Sequence, residues 1–235
     1  MIDTPTSNRA DGDSIFEEFT SVIAHELNTP LSIIRMASDS VLNAEAKGLS
    51  EGQKRQLLEM IRRNSDLTIL LVGRLGLARD IEAGDVTLLL EPVDLGHLVE
   101  ECVGDLKEVL LGAHTVRVEA PQSPMVLADP TAVREIAYNL LSNAVKYSES
   151  DAPIEVAVEV GDAKAVVVVR DHGPGVPPGQ EEHIFEKFVQ DNDNSPGSGL
   201  GLFISRGLAR AHGGDIVTKP ASDTGSEFRL SLPLV

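Results

Sequence analysis

Apolar positions in the first third of the chain recur with the spacing of one helix face. Six side chains form this stripe: Phe16, Phe19, Ile23, Leu27, Ile34 and Val41. Their separations of 3, 4, 4, 7 and 7 residues predict a long amphipathic helix. We expect this helix to begin with Asp13 or Ser14 as its N-cap and to end near Ala46. Residues 1–12 are polar and are expected to form a disordered leader.

A second helical pattern follows a short turn at residues 47–50. Ser50 is a suitable N-cap, and Gly84 is a suitable stop for a helix from Glu51 to about Ala83. Its apolar stripe is predicted to contain Leu57, Met60 or Ile61, Asn64, Leu67, Leu71, Leu75, Ala78 and Ile81. Two long helices in one hairpin cannot bury both stripes by themselves. The pattern therefore predicts a homodimer that forms a four-helix bundle, and a monomeric hairpin packed on the next domain is the alternative.

From residue 85 onwards the pattern changes to alternating strands and helices. The predicted strands are Val86–Leu90, Val116–Glu119, Met125–Ala128, Ile154–Val160, Ala165–Val169, Ile216–Lys219 and Phe228–Leu232. The predicted helices are Leu95–Leu111, Asp129–Tyr147 and Leu200–Ala211. This order predicts a layered α/β domain over residues 85–235, preceded by a helical hairpin over residues 13–84.

Composition narrows the class of partner. A net charge of −17 over 235 residues argues against nucleic acid or an anionic membrane as a partner, since both require a basic surface. The single Cys102 excludes an internal disulfide framework and suits a reducing compartment. No apolar run approaches ~18 residues, and the first residues do not resemble a signal peptide. We therefore expect a cytoplasmic chain without direct membrane contact, such as the core of a larger protein.

The first candidate for chemistry is a histidine beside a carboxylate on the first helix, His25-Glu26. His25 lies about 200° from the apolar stripe on a helical wheel and is predicted to point away from the core. Thr29, four residues later, shares its face. Pro30 removes one backbone hydrogen bond inside the helix, so we expect a kink just after His25. For this helix taken alone, an ordinary surface histidine is the favoured interpretation.

A second candidate lies on the helix at residues 129–147. Asn139, Asn143 and Lys146 or Tyr147 recur on one face. An amide oxygen suits a hard divalent ion such as Mg²⁺, and an ammonium group can meet a phosphate. A solvated polar face is the alternative interpretation.

The third candidate directly follows the most apolar strand. Asp171 is the charged residue at the end of that strand, and its carboxylate could accept a hydrogen bond from an exocyclic amine. Gly173 and Gly175 would let the backbone approach a ligand closely. A tight Gly/Pro turn would have the same composition.

A glycine-rich stretch leads into the next helix. Gly197, Gly199 and Gly201, with Leu200 between the last two, are suited to form an anion cradle at a helix N-terminus. The stretch has neither the P-loop pattern nor the strand that precedes a Rossmann glycine motif. The polar loop 191–196 before it is expected to be mobile. The apolar segment 184–188 could brace that loop or belong to the core.

The order of these clusters closely resembles the two-component sensor histidine kinases. The corresponding motifs are the phosphoacceptor motif His25-Glu26-Leu27-Asn28-Thr29-Pro30, the N box 139–147, the first glycine box 171–175, the phenylalanine box 185–188 and the second glycine box 197–201. The resemblance implies a dimeric helical hairpin followed by an α/β two-layer sandwich with a mixed sheet. This is the Bergerat-type ATP-binding fold of the GHKL ATPases.

The resemblance also implies roles for single residues of the hairpin. His25 would be the nucleophile that takes a phosphoryl group from ATP, and Glu26 would polarise or deprotonate its imidazole. Thr29 occupies the position that orients water for dephosphorylation of the response regulator. The partners implied are a second copy of the chain and the receiver domain of a response regulator, whose aspartate accepts the phosphoryl group.

Roles in the ATP-binding domain follow in the same way. Asn143 would hold Mg²⁺ with Asn139 beside it, Lys146 would meet the phosphates, and Tyr147 belongs to the same motif. Asp171 would accept a hydrogen bond from the adenine amine. Gly197, Gly199 and Gly201 would let the second glycine box reach over the triphosphate. Gly173, Gly175 and Leu200 are further residues expected to bind the nucleotide.

Two positions depart from the family pattern. Asn28 and Gln190 stand where many relatives carry a basic residue, which puts the reaction rate in doubt more than the reaction itself. Two alternatives of other classes are a non-catalytic dimeric scaffold and an ATPase clamp with the same nucleotide fold.

Overall fold

The computed structural model describes residues 8–45, 47–109, 114–149, 152–161, 163–190, 198–220 and 224–235. The chain divides into two compact units, with the division near Gly76 inside the second helix. The first unit is the helical hairpin, and the second is the α/β domain together with the last turns of that helix.

The hairpin consists of helix α1, Asn8–Leu42, and helix α2, Glu51–Ala83. The early start of α1 contradicts the expected leader at residues 8–12, because a polar sequence with acidic residues near a helix start is compatible with the helix dipole. Residues 1–7 and the side chains of Phe16, Phe19 and Ile23 lie outside the described part. The predicted end near Ala46 was also too late, since the Asn43 side chain binds the carbonyl of Asp39 (2.8 Å) where the helix ends.

The inward faces of the hairpin follow a spacing of alternating three and four residues. In α1 and the turn after it, the buried residues Pro30, Ala37 and Ala44 alternate with the half-buried Leu27, Ile34 and Val41. In α2 the less exposed positions are Leu57, Ile61, Asn64, Thr68, Leu71 and Leu75. The predicted stripe was therefore wrong at Leu67, which is 45% exposed, because a 3.5-residue period selects Thr68 instead.

The start of α2 is fixed by the predicted cap. The Ser50 hydroxyl accepts a hydrogen bond from the backbone N–H of Gln53 (3.3 Å), and the Gln53 side chain accepts one from the backbone N–H of Ser50 (2.9 Å). This reciprocal arrangement is a capping box. It confirms Ser50 as the N-cap.

The α/β domain contains seven strands, three α-helices and one short 3₁₀ helix, His183–Phe185, among the residues that the structure describes. The strands are β1 Glu91–Asp94, β2 Val116–Glu119, β3 Met125–Ala128, β4 Ile154–Val160, β5 Lys164–Arg170, β6 Asp215–Pro220 and β7 Ser226–Pro233. The helices are α3 Leu95–Val109, α4 Pro130–Tyr147 and α5 Gly201–Ala211. A strand at Val86–Leu90 was predicted wrongly: that segment is irregular, and β1 begins at Glu91, where Val93 pairs with Val126 of β3.

The main sheet has the strand order β2-β4-β5-β7-β6. Strands β2 and β4 are parallel and the other neighbours are antiparallel, which confirms the mixed sheet. Helix α4 packs against α3, α5 and β5, so the helices form a layer on the sheet. Ile154, Val156 and Val158 alternate as the buried side of β4, as expected for a strand with one covered face.

One row of charged residues crosses the other face of this sheet. Opposite residues on the five strands alternate in sign, in the order Arg117, Glu155, Arg170, Glu227 and Lys219. We call this set the charge row. Opposite charges directly across neighbouring strands stabilise their register.

Candidate active site

A cavity of about 330 Å³ opens in the α/β domain beside α4. Its walls come from α4, the turn after β5, residues 180–190, the start of α5 and strand β7. The volume and the mixed polar and apolar lining suit a small organic ligand with few polar anchors. Four of the predicted site residues line it: Asn143, Tyr147, Asp171 and Gly175.

Asp171 is the most enclosed charged group of the cavity, with 3% of its surface exposed. Its Oδ1 accepts hydrogen bonds from the backbone N–H groups of Gly173 (2.9 Å) and Ser226 (3.1 Å). Burial raises the pKa of this carboxyl, against the opposing effect of these two donors. Because both donors bind Oδ1, Oδ2 is the oxygen available to an N–H donor in the cavity.

Backbone close to Asp171 explains two glycines. A Cβ on Gly173 would lie 2.4 Å from the carbonyl oxygen of Tyr147, so the turn after β5 can pass α4 only without a side chain there. Gly225 has a φ of +99°, and a Cβ there would lie 2.0 Å from the carbonyl oxygen of Asp171. The second glycine was not identified from the sequence.

Helix α4 supplies the amide and the aromatic ring of the cavity. Asp129 caps this helix by accepting hydrogen bonds from the N–H groups of Thr131 and Ala132, and Pro130 follows it at the first helical position. Asn143 and Tyr147, one turn apart, face the cavity. Lys146 is exposed beside them, with its ammonium 4.9 Å from the centre of the Tyr147 ring.

Asn139 does not line the cavity, although it lies one turn before Asn143. Only 7% of its surface is exposed. Its Nδ2 faces the Ser205 hydroxyl (3.2 Å), the carbonyl oxygen of Gly201 (3.4 Å) and the Glu135 carboxylate (3.5 Å). The structure therefore places this amide against α5 rather than at the ligand space.

The second glycine box is described only from residue 198 onwards. Gly197 lies outside the described residues, as does the loop before it. Gly199 has a φ of +65°, and its carbonyl accepts a hydrogen bond from the backbone N–H of Phe188 (3.0 Å). Leu200 is buried, Gly201 begins α5, and Leu202 reaches the cavity wall.

The phenylalanine box is held to α5 by a buried arginine that sequence reasoning missed. The Arg206 guanidinium stacks on the ring of Phe185, with 4.6 Å between the guanidinium carbon and the ring centre. It also pairs with Glu182 (2.6 Å) and Asp215 (2.9 Å). Its position in α5 gave no sign of this role, because its partners lie in the segment 182–185 and at the start of β6.

Other cavity residues were also missed. Ser226 and Phe228 line it from β7, and Gln180 and His183 line it from the segment before the phenylalanine box. The alternation of β7 was the signal that could have found the first two. It identifies which residues share a face, although not which ligand they face.

The hairpin carries the histidine candidate as predicted. His25 and Thr29 are both exposed, and the Thr29 hydroxyl donates to the carbonyl oxygen of His25 (3.1 Å). Glu26 is half-buried, and Pro30 is buried within α1. The outward direction of His25 is confirmed, whereas the kink after it stays a prediction.

The residues of the cavity can hold a magnesium ion only with help from a ligand. No cluster of three or more His, Cys, Asp or Glu side chains suited to a metal exists among the described residues. Asn143 offers one amide oxygen at the cavity wall. This donor set fits Mg²⁺ bound mainly by phosphate oxygens and water, which is how this ion commonly binds in nucleotide sites.

Comparison with known protein families covers both units. Residues 17–84 match the His Kinase A (phospho-acceptor) domain, and residues 128–235 match the Histidine kinase-, DNA gyrase B-, and HSP90-like ATPase family. Together these domains define the catalytic core of a two-component sensor histidine kinase. The chain belongs to this family.

Individual relatives agree with that assignment. The chain is 33% identical to Sensor histidine kinase MtrB of Mycolicibacterium paratuberculosis, over 92% of this chain and 39% of the relative. It is 32% identical to Hybrid signal transduction histidine kinase D of Dictyostelium discoideum, over 94% of this chain and 15% of the relative. The chain thus spans well under half the length of these relatives.

Solved structures show the same fold. Full-length ShkA in complex with AMPPNP superposes with a TM-score of 0.70 at 26% identity, covering 93% of this chain and 46% of that one. The catalytic domain of histidine kinase ThkA superposes with a TM-score of 0.57 at 27% identity, covering 63% of this chain and 99% of that one. In the described part of this chain, no helix is long and apolar enough to cross a membrane.

Proposed function

We propose that this chain transfers the γ-phosphoryl group of Mg-ATP to His25 and then to an aspartate of a response-regulator receiver domain. The observation that carries the proposal is the combination of two features in one chain. One is an exposed histidine with a neighbouring carboxylate, and the other is a cavity whose buried carboxylate has an oxygen available to an amine. The start of α5 and the amide of Asn143 adjoin that cavity, and they are suited to a phosphate and to a metal ion, respectively.

Nucleotide binding would use the cavity residues in distinct ways. Asp171 Oδ2 would accept a hydrogen bond from the adenine amine, and the apolar walls would cover the base. Asn143 would bind Mg²⁺ together with phosphate oxygens, and the bound ion would neutralise charge that builds up on the phosphates. Lys146 and the first N–H groups of α5 would contact the phosphates.

The transfer step is a displacement at phosphorus. A nitrogen of the neutral imidazole of His25 forms a bond to the γ-phosphorus as the bond to the ADP oxygen breaks. Glu26 would accept the proton that the imidazole loses. In the second step a carboxylate oxygen of the receiver aspartate forms a bond to phosphorus as the N–P bond to His25 breaks. The imidazole would take back its proton from Glu26 and become neutral again.

Dimerisation through the hairpin is part of the proposal. Apolar side chains flank the inward seam and are exposed in the single chain, among them Leu58, Leu67, Leu70 and Val72. An exposed apolar face of this extent on a helical hairpin favours a second copy as its cover. Sedimentation equilibrium should show a dimer, and a strictly monomeric chain at micromolar concentration would contradict this part.

The direct test is incubation with γ-labelled ATP and Mg²⁺. We expect acid-labile, alkali-stable label on the chain, none on His25→Ala, and normal labelling of His97→Ala, a matched exposed histidine on α3. Label that persists in His25→Ala would refute the assignment. A chain that binds nucleotide and releases phosphate without becoming labelled would favour the ATPase clamp. A chain that binds no nucleotide would favour the non-catalytic scaffold.

A mixing experiment can distinguish transfer within a chain from transfer between chains. His25→Ala retains the nucleotide site, and Asn143→Ala retains the acceptor. When the two variants are combined, label on the Asn143→Ala chain would indicate transfer from the other protomer. Absence of label in the mixture, with a labelled wild type, would indicate transfer within one chain.

A second activity, dephosphorylation of the response regulator, is supported by the position of Thr29. Its hydroxyl lies on the exposed face of α1, one turn from His25. A hydroxyl there can orient a water molecule towards a phosphoaspartate docked on the hairpin. Loss of label from a phosphorylated receiver domain, with and without this hydroxyl, tests the activity.

A further inference from the structure

The side-chain amide of Asn139 lies with both of its polar atoms against the first turns of α5. Nδ2 donates towards the Ser205 hydroxyl (3.2 Å) and the carbonyl of Gly201 (3.4 Å). Oδ1 also lies close to the start of α5, since a Cβ built on Gly201 would be 3.2 Å from it. The amide therefore spans the gap between α4 and the start of α5.

Ser205 is as enclosed as a core residue can be, with 0% of its surface exposed. A buried hydroxyl needs a partner, and its amide partner on α4 is 66 residues away in sequence. The surrounding α5 positions Ile204, Leu208 and Ala209 are also buried and apolar. The hydroxyl is thus a specific polar contact within an apolar interface between two helices.

This contact lies between the two parts of the site that would hold the phosphates. Asn143, one turn after Asn139 on α4, faces the cavity, and Leu202, one residue after Gly201 on α5, lines it from the other side. The hydrogen bond between Asn139 and Ser205 therefore fixes the distance from the Asn143 amide to the first N–H groups of α5.

We propose that Asn139 and Ser205 form a positioning pair that holds the phosphate-binding end of α5 against α4, and that Asn139 acts through α5 instead of as a ligand of the nucleotide or its metal. This inference rests on the proposed ATP binding and adds a role for Ser205, which no motif includes. It also explains why position 201 is a glycine: the Asn139 amide approaches the backbone there closely. This explanation does not depend on a bound anion.

The pair can be tested by calorimetry on the full chain with ADP and with adenosine, each in Mg²⁺ and in EDTA. The variants are Ser205→Ala, Asn139→Ala and the double variant. Ser231→Ala is the matched control, because it removes a hydroxyl that bonds the backbone of Asp215 in the same domain, away from the cavity. Ser205→Cys is a second variant that leaves no cavity but forms only weak hydrogen bonds.

We expect Ser205→Ala to weaken ADP binding by ~3–10-fold, the effect of one ordinary hydrogen bond, and Ser205→Cys to weaken it less. Adenosine affinity should stay within about twofold, since Asp171 and not α5 recognises the base. The double variant should bind ADP as Asn139→Ala does, because both substitutions break the same contact. The fold-loss should be the same in Mg²⁺ and EDTA, and amide exchange at residues 201–203 should accelerate.

Other outcomes would overturn the pair. If Asn139→Ala weakened ADP binding only in Mg²⁺, Asn139 would be a metal ligand. If the losses of ADP affinity in Ser205→Ala and Asn139→Ala were fully additive in the double variant, the two residues would act independently. Equal losses in Ser205→Ala and Ser231→Ala would show general destabilisation instead of positioning. Failure of the wild-type chain to bind either compound would refute the proposed function, whereas wild-type binding with an unaffected Ser205→Ala would refute only the inference.

Discussion

Arg170 donates a hydrogen bond to Glu227 across the centre of the sheet, with 2.7 Å between Nη2 and Oε2. The two residues are direct neighbours on β5 and β7 and form the middle of the charge row. Arg170 also pairs with Glu155, and Glu227 also accepts from Arg229 at 2.9 Å. Glu227 is only 9% exposed, so its charge depends on these partners.

Replacement of Glu227 by Gln should destabilise the α/β domain at neutral pH. Burial favours the protonated acid, but hydrogen bonds from Arg170 and Arg229 outweigh it and hold the pKa of Glu227 below its ordinary value of 4.5. The loss should be on the order of 1–3 kcal/mol. Urea unfolding followed by tyrosine fluorescence reports this domain, because both tyrosines of the chain lie on α4.

The same pair predicts a pH dependence with a definite sign. A carboxyl whose pKa is lower in the folded state contributes its stability above the ordinary value, and this contribution is lost as the pH falls through the lower value. The difference between the wild type and Glu227→Gln should therefore shrink below pH 4.5. A constant difference from pH 7 down into the acid range would contradict the assigned cause.

Asp171→Asn should weaken nucleotide binding without lowering the thermal stability of the chain. The Asn oxygen can still accept from Gly173 and Ser226, but its NH₂ would point a donor at the adenine amine. We expect nucleotide affinity to fall at least ~100-fold, as when a recognition hydrogen bond is replaced by an unpaired donor. Because burial raises the pKa of Asp171, ionisation opposes folding at neutral pH, and the variant should melt no lower than the wild type. Calorimetric titration and a thermal melt check both, and a much lower melting temperature would contradict this explanation.

Thr29→Ala should leave autophosphorylation of His25 nearly intact and reduce dephosphorylation of the response regulator at least ~10-fold. In the described part of the chain the hydroxyl bonds the carbonyl of His25 one turn earlier, and loss of such an exposed contact costs the helix little. Labelled-phosphate assays in both directions measure the two activities. Thr29→Ser, which keeps the hydroxyl, is the control and should retain both.

Gly207→Ala tests the packing between the end of α2 and α5. A Cβ at position 207 would lie 2.4 Å from Cγ2 of Ile81, which α2 places against α5. The clash should cost ~1–3 kcal/mol and accelerate amide exchange at residues 77–83. Ile81→Ala in the same chain should remove most of this penalty, and an unaltered Gly207→Ala protein would contradict the contact.

Most elements of the α/β domain could be predicted because their signals are local. Strand β4 has the alternation of a half-covered strand, and α4 has its cap and proline in sequence. The segment 86–90 shows where this fails. It is as apolar as a strand, but the register of Val93 against Val126 determines where β1 pairs, and no local pattern contains that partner.

The candidate site could be predicted at its motifs but not in its arrangement. Two asparagines four residues apart share a helix face in projection. In the structure, however, Asn143 lies at the cavity wall and Asn139, one turn earlier on α4, lies against α5. The packing of α5 determines which of the two asparagines faces the cavity. The charge row was equally invisible, since its five members come from five strands and become neighbours only through the sheet register.

The carboxylate of Asp171 is oriented by main-chain donors, and the described part of the chain brings backbone of Gly173, Gly225 and Ser226 around it. This arrangement requires glycine at positions 173 and 225, but the hydrogen bonds that orient the carboxylate come from the main chain. Base preference in this protein should therefore be open to engineering by substitution at position 171 alone. The surrounding turn would hold the new side chain in place, so that no compensating substitutions at other positions are needed.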